Sequence, residues 1–385
     1  MANQKNQGKQ KGQTKQNDTA FLNNKISRLQ FFFLIVQTQI GVGVISLPYN
    51  LQQVAKQDGW ISLIGASLVV QLIMFLYWLL LKNTPGQHLF ISLEKIFGKW
   101  IGKTSTLFYS FYFIAVGALI LILYTRVINL WMLINTPKWV LMFLMVTAGL
   151  YLISGTIKVL ARAYTLFSGL MIILVVSLIY GVRDSHFIFI LPVGKAGIEP
   201  ILKGVNEGVL SLLGFVFVLI IYPLVEGTNK EKLKTIFYTQ WFVLGFYLLV
   251  VFSTFTFFGA KEILLVPEPV LYMLKAYEFS VVERLDLFFI SVWVVSVTTS
   301  FTTYLYMSGK GLKHMFNSKK EMPFMIMMAI VAFILALTFG SGEQRIGQYG
   351  DVVMKFGYLF SGSLPVILLL VFFVRKKKLT GSDSK

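Results

Sequence analysis

Leu34-Ile-Val-Gln-Thr-Gln-Ile-Gly-Val-Gly-Val-Ile-Ser-Leu-Pro48 is apolar enough to lie in a bilayer, yet Gln37, Thr38, Gln39 and Ser46 surround a Gly41-Val42-Gly43 step within it. Glycine weakens a helix by about 1 kcal/mol relative to alanine, so two this close together let the backbone unwind. Within lipid, unwound backbone is tolerated only where protein buries it or a polar cavity receives it. Close helix packing through small residues is the competing explanation. A milder copy occurs at Glu207-Gly-Val-Leu-Ser-Leu-Leu-Gly-Phe215, open to the same two readings.

Around these stretches the chain is apolar almost throughout. Of 385 residues 56% are hydrophobic and 14% charged, too few charges for a soluble surface. Apolar runs recur at 29–53, 60–81, 105–130, 139–154, 164–181, 206–225, 236–259, 285–308, 322–340 and 352–374. Most reach the roughly 20 residues that a crossing helix needs, the fourth being short. The runs are continuous rather than alternating, which excludes a β-barrel. The expected architecture is an all-α polytopic membrane protein of ten transmembrane helices over 29–375. A polar, lysine-rich tail over 1–28 precedes it and a basic tail over 376–385 ends the chain. The first tail lacks the apolar core of a signal peptide and reads as disordered by composition.

The net charge of +18 is accounted for by orientation. With ten spans and the N-terminus inside, 24 of the 35 Lys and Arg face the cytoplasm, ending in Arg375-Lys-Lys-Lys378. A nucleic-acid partner is therefore not needed to explain the basic balance. The chain has no cysteine, and its three histidines, His88, His186 and His314, lie far apart in sequence, so no metal site and no cofactor is expected. Both termini are expected in the cytoplasm. A cysteine placed at Ser382 should be closed to an impermeant outside reagent, and labelling from outside would reject this topology.

Spans one and six hold the same place in two successive sets of five. An odd number of crossings gives those sets opposite topology. Each set also carries an amphipathic stretch between its second and third spans, at 85–103 and 270–279. That is the signature of an inverted five-plus-five repeat with a central site between two broken helices.

The residues Ile40-Gly-Val-Gly-Val-Ile-Ser-Leu-Pro48 resemble the first-helix motif of the amino acid–polyamine–organocation superfamily. The Leu-Pro ending, Glu283-Arg284-Leu285-Asp286 before span eight, Trp293 within it and the basic tail after Pro365 resemble the spore permease family. These are the B subunits of GerA-type germinant receptors. The resemblance implies a leucine-transporter-like fold in the inner spore membrane. It also implies recognition of a small-molecule germinant, usually an amino acid, together with an A subunit and a lipoprotein C subunit. In the family that the chain resembles, many members carry an acidic residue after the Gly-Phe of helix six. Here that position is Val216, which removes one support for a proton- or cation-coupled role.

An amino-acid zwitterion needs an anion site and a cation site a few ångströms apart. The amides of Gly41, Val42 and Gly43, at the start of the second half-helix, would take the carboxylate. Carbonyls of Ile40 and of Leu210, Ser211 and Leu212 would take the ammonium. Thr38 and Gly214 flank the two breaks. Tyr112, Phe215, and Val295 or Thr298 would meet the ligand side chain. Thr298, Thr299 and Ser300 also resemble the hydroxyl side of a sodium site, against hydroxyls that bond their own helix. Arg126 either snorkels or pairs with an outer acid such as Glu207. Glu226 is expected in solvent, and Glu268, between two prolines, on an outer lid or at a helix end. No carboxylate or histidine cluster lies within the spans, which disfavours a membrane enzyme. The remaining alternatives are a ligand-sensing receptor subunit and an autonomous amino-acid transporter working by alternating access.

Overall fold

The computed structural model describes residues 25–277 and 284–380. Most of the tail over 1–28, Glu283 and the end of the tail over 376–385 lie outside the described residues. Ser27 starts the fold with a capping box, its hydroxyl accepting from Gln30 N while the Gln30 side chain accepts from Ser27 N. Helix α1 (Arg28–Gln39) then ends where the glycine step begins, with Ile40 in an extended conformation. Helix α2 (Gly43–Ala55) resumes three residues later. The first span is thus broken at Ile40, Gly41 and Val42.

Helices α3 (Gly59–Asn83), α4 (Leu89–Phe97), α5 (Lys99–Trp131), α6 (Lys138–Ile153), α7 (Ile157–Ser168) and α8 (Met171–Gly181) complete the first half. The second half opens with α9 (Ile198–Ser211), a second break, and α10 (Val218–Ile221) between two 3-10 turns. Helices α11 (Asn229–Phe257), α12 (Pro269–Lys275), α13 (Leu285–Met315), α14 (Met322–Phe339), α15 (Glu343–Gly357) and α16 (Leu364–Thr380) come after it. The order repeats: a broken helix, a long helix, a short helix, then a long one. The segments on either side of the second break meet at 52°. Its interruption falls at Leu212–Gly214, two residues later than Leu210–Leu212, because Gly214 adopts φ 125° and turns the chain there.

Among the described residues, seven stretches are long and apolar enough to cross a membrane, or eight when the bent pair counts as one. The expected count of ten exceeds this for a physical reason. At 12 and 16 residues, α1 and α6 fall below the length of about 20 that spans a hydrocarbon core. Residues Gly43–Asn83 count as one helical stretch of 41 residues, although the polar turn Lys56–Asp58, with Lys56 at φ 53°, separates α2 from α3 within it.

The two ends of the bundle differ. At the end holding Lys25 and Arg375, residues 215 to 222 are each 3% exposed or less. There Ile26 pairs with Val225 in a short parallel bridge, and Arg28 bonds Glu231 at 2.8 Å. Glu226 beside this latch is exposed. At the opposite end, α9 buries only Gly204 and Gly208. Its other side lines a cavity of about 490 Å³ with Val54, Glu199, Leu202, Lys203, Asn206 and Glu207.

Candidate functional site

The two breaks touch. A Cβ on Gly214 would lie 2.6 Å from the Thr38 carbonyl oxygen, and one on Gly43 would lie 3.0 Å from the Ser211 Cβ. Glycine at both positions lets the end of α1 meet the second break and the start of α2 meet the end of α9. The positive end of one half-helix therefore faces the negative end of another.

Most of the polar backbone exposed by the first break is taken up by side chains. Ser300 Oγ donates to the carbonyls of Gln37 at 3.0 Å and Thr38 at 3.2 Å. Tyr247 Oη donates to the Gln39 carbonyl at 3.0 Å and the Ser211 carbonyl at 3.2 Å, and it lies against the Gly41 backbone. Trp293 Nε1 donates to the Gly41 carbonyl at 3.1 Å. Thr299 Oγ1 bonds the Gln37 side chain at 3.0 Å, and Thr38 Oγ1 meets Thr303 Oγ1 at 3.1 Å. Tyr164 Oη completes this wall by donating to the Thr299 carbonyl at 2.6 Å.

What remains is small and bipolar. The amides of Val42 and Gly43 reach no acceptor among the described residues. The carbonyls of Ile40 and Leu212 likewise accept from no donor among them. Leu210 is different, since its carbonyl takes the Leu213 amide at 3.2 Å. These donors and acceptors, with the buried and unpartnered side-chain amide of Gln39, flank the breaks at mid-chain of two spans, where water is scarce and an unmet polar group costs free energy.

Several expected residues gather around this centre. Tyr112 on α5 meets Ser361 Oγ at 3.1 Å and stacks on Phe360. A Cβ on Gly357 would touch both Tyr112 Oη and Leu213, which brings α5, α15 and the second break together. Phe215 is buried, its ring 5.9 Å from that of Tyr77. Ser361 belongs to a π-turn, Tyr358–Ser363, whose freed Phe360 and Ser361 carbonyls accept from Tyr109 and Tyr77.

Thr38 closes on Thr303 and its own helix, and so supports the break rather than offering a free group. Thr298 bonds the Val294 carbonyl of its own helix at 2.8 Å, and like Val295 is half-buried. The residues of α13 bonded to the break are Trp293, Thr299, Ser300 and Thr303. One residue rotates a helical face by about 100°, enough to exchange Thr298 for its neighbours. Tyr247 and Tyr164 were not among the expected residues. A tyrosine deep in a span needs a partner for its hydroxyl, and that was the available signal.

Arg126 pairs with Glu343 at 3.1 Å and approaches Glu268 at 3.7 Å, rather than pairing with Glu207. Glu268 is 5% exposed at the start of α12, and burial raises its carboxyl pKa while Arg126 lowers it. An acid whose pKa is raised on folding contributes stability below the ordinary carboxylate pKa of about 4, and that contribution fades as pH rises through the folded value. Arg126→Gln removes the opposing cation and raises the pKa further. The variant's thermal midpoint should therefore fall increasingly below wild type as pH rises from about 4 to neutrality. A constant gap across that range would contradict the coupling.

The fold and the paired breaks define a permease-like membrane protein of the leucine-transporter type. A Na+-coupled sialic acid symporter, solved in a substrate-bound outward-open state, matches with a TM-score of 0.66 at 14% identity, covering 89% of this chain and 79% of that one. Mhp1, a nucleobase-cation-symport-1 family transporter solved in a closed conformation, matches at 0.62 and 14% identity, covering 92% and 80%. These likenesses are of fold.

The chain belongs to the spore permease family of spore germination proteins, whose family model matches residues 25–343. Spore germination protein GerQB of Bacillus cereus is 25% identical over 350 residues, 90% of this chain and 95% of that relative. Spore germination protein A2 of Bacillus subtilis (strain 168) is 25% identical over 366 residues, 92% and 96% of the two chains. The protein is thus a permease-like integral membrane protein of spore germination.

Proposed function

We propose that this chain is the germinant-sensing subunit of a spore germination receptor. It binds a small-molecule germinant, an amino acid, between the α1–α2 break and the α9–α10 break, and binding triggers germination. The observation that carries this reading is the bipolar centre: free amides at Val42 and Gly43 beside free carbonyls at Ile40 and Leu212. A carboxylate suits the former and an ammonium the latter. Tyr112 and Phe215 would contact the side chain. The subunit acts with A and C subunits in the inner spore membrane, with both termini cytoplasmic, and carries out no chemical step.

An autonomous amino-acid transporter is the second reading, favoured by the fold shared with symporters and by the cavity along α9. Purified protein in liposomes separates the two. A sensor should bind an amino acid saturably without accumulating it. Robust gradient-driven uptake by the chain alone would overturn the sensor reading in favour of the transporter.

A further inference from the structure

At the end of the bundle that holds Lys25 and Arg375, α4 and α5 form a tight hairpin. Gly98 turns the chain at φ 92°, and a Cβ on Gly102 would lie 2.5 Å from the Glu94 Cα, so only glycine lets the helices touch. Leu89, Phe90, Leu93 and Ile96 bury one side of α4 against the protein. Lys95 and Lys99 stay exposed. Arg375 Nη1 donates to the Ile96 carbonyl at 2.8 Å, one of the carbonyls left unpaired where α4 ends. That contact brings Arg375 of α16 onto the same hairpin.

The charge here is unbalanced. Glu94 faces His314 at 3.4 Å, and Glu321 pairs with Lys313. Among the described residues no acid pairs with Lys95, Lys99 or Lys103. Immediately beyond Lys99, Trp100 is 88% exposed. Ile101, Phe108 and Phe111 are also exposed, and Phe108 comes seven residues after Ile101 and Phe111 eleven after Trp100, spacings that align them along α5. Cations at a helix end, an indole below them and an apolar stripe below that reproduce the layering of a lipid: phosphate, interface, acyl chain.

We propose that this hairpin, with Arg375 of α16, is a binding site for an anionic phospholipid. The phosphate is held by Lys95 and Lys99, the glycerol region lies on Trp100, and an acyl chain runs along Ile101, Phe108 and Phe111. A zwitterionic headgroup is disfavoured because its own cation would face the lysines. The anionic headgroup draws each nearby lysine electrostatically, and salt screens the attraction.

The test uses the full chain in nanodiscs of phosphatidylcholine, with and without phosphatidylglycerol, reading retained lipid by native mass spectrometry and stability by thermal unfolding. Wild type should retain phosphatidylglycerol over phosphatidylcholine by about tenfold, and its midpoint should rise with phosphatidylglycerol at low salt and less at high salt. Lys95→Gln/Lys99→Gln/Trp100→Leu should abolish the preference while matching wild type in phosphatidylcholine. Lys138→Gln, at the other end, should change nothing. If the triple variant fails to assemble, Lys99→Gln alone leaves the packing intact and should lower the preference several-fold. A wild type without preference, or an assembled variant that keeps it in full, overturns the proposal.

Discussion

Gly214→Ala is expected to remove most of the folded protein from the membrane. At φ 125° the residue lies where L side chains are strained. A Cβ would also stand 2.6 Å from the Thr38 carbonyl oxygen and 2.8 Å from its carbon, both backbone atoms that cannot turn aside. Strain of this kind costs about 1–3 kcal/mol, and overpacking a core costs a similar amount. Together they reach roughly 3 kcal/mol or more, a large part of an ordinary stability of about 5–15 kcal/mol. Membrane abundance and thermal midpoint should both drop sharply. Wild-type values for both would show that the two breaks do not press together as described.

Gly43→Ala should act on ligand rather than on abundance. Gly43 opens α2, its amide has no acceptor among the described residues, and a Cβ would lie 3.0 Å from the Ser211 Cβ. The methyl would push the end of α9 by a few tenths of an ångström and crowd the carboxylate position. The half-maximal germinant concentration should rise about tenfold or more, equivalent to about 1.4 kcal/mol. Gly41→Ala is the less clean companion, since its Cβ would lie 2.8 Å from Ser300 Oγ and disturb the hydroxyl that caps Gln37 and Thr38. A control must lie away from this wall. Gly65 on α3 does not, because a Cβ there would lie 2.8 Å from Val205 of α9, whereas Gly245 has open space around it. Gly245→Ala should leave the response unchanged. Unaltered half-maximal concentrations in both the Gly41 and Gly43 variants would remove the glycine step from the site.

Paired interruptions in the fifth and tenth spans were not legible in the chain's local pattern. Gly169 and Leu170 separate α7 from α8, and a π-turn separates α15 from α16. The π-turn sequence, Tyr358-Leu-Phe-Ser-Gly-Ser363, offers only one glycine inside an apolar run, a weak local signal. Its freed carbonyls are stabilised by Tyr77 and Tyr109, 251 or more residues away in the chain. No neighbouring residue carries that information.

Short-range chemistry is written in the chain and sets the outline of the molecule. Continuous apolar runs require a membrane helix bundle, and the Gly41-Val42-Gly43 step permits a break. Recurrence of a break and a short intervening helix at matched places in two halves expresses the inverted repeat. Rotation and distance enter only once the helices pack. A span that is apolar all round does not disclose which face is inward, so Trp293, Thr299 and Ser300 rather than Thr298 bond the first break. Likewise only the folded chain shows that Tyr247 and Ser300 consume the carbonyls of Gln37, Thr38, Gln39 and Ser211, while Val42, Gly43, Ile40 and Leu212 keep theirs available. Every one of these residues offers the same backbone groups, and which of them stay unpaired is settled by partners far away in the chain or by the residue at which a helix stops.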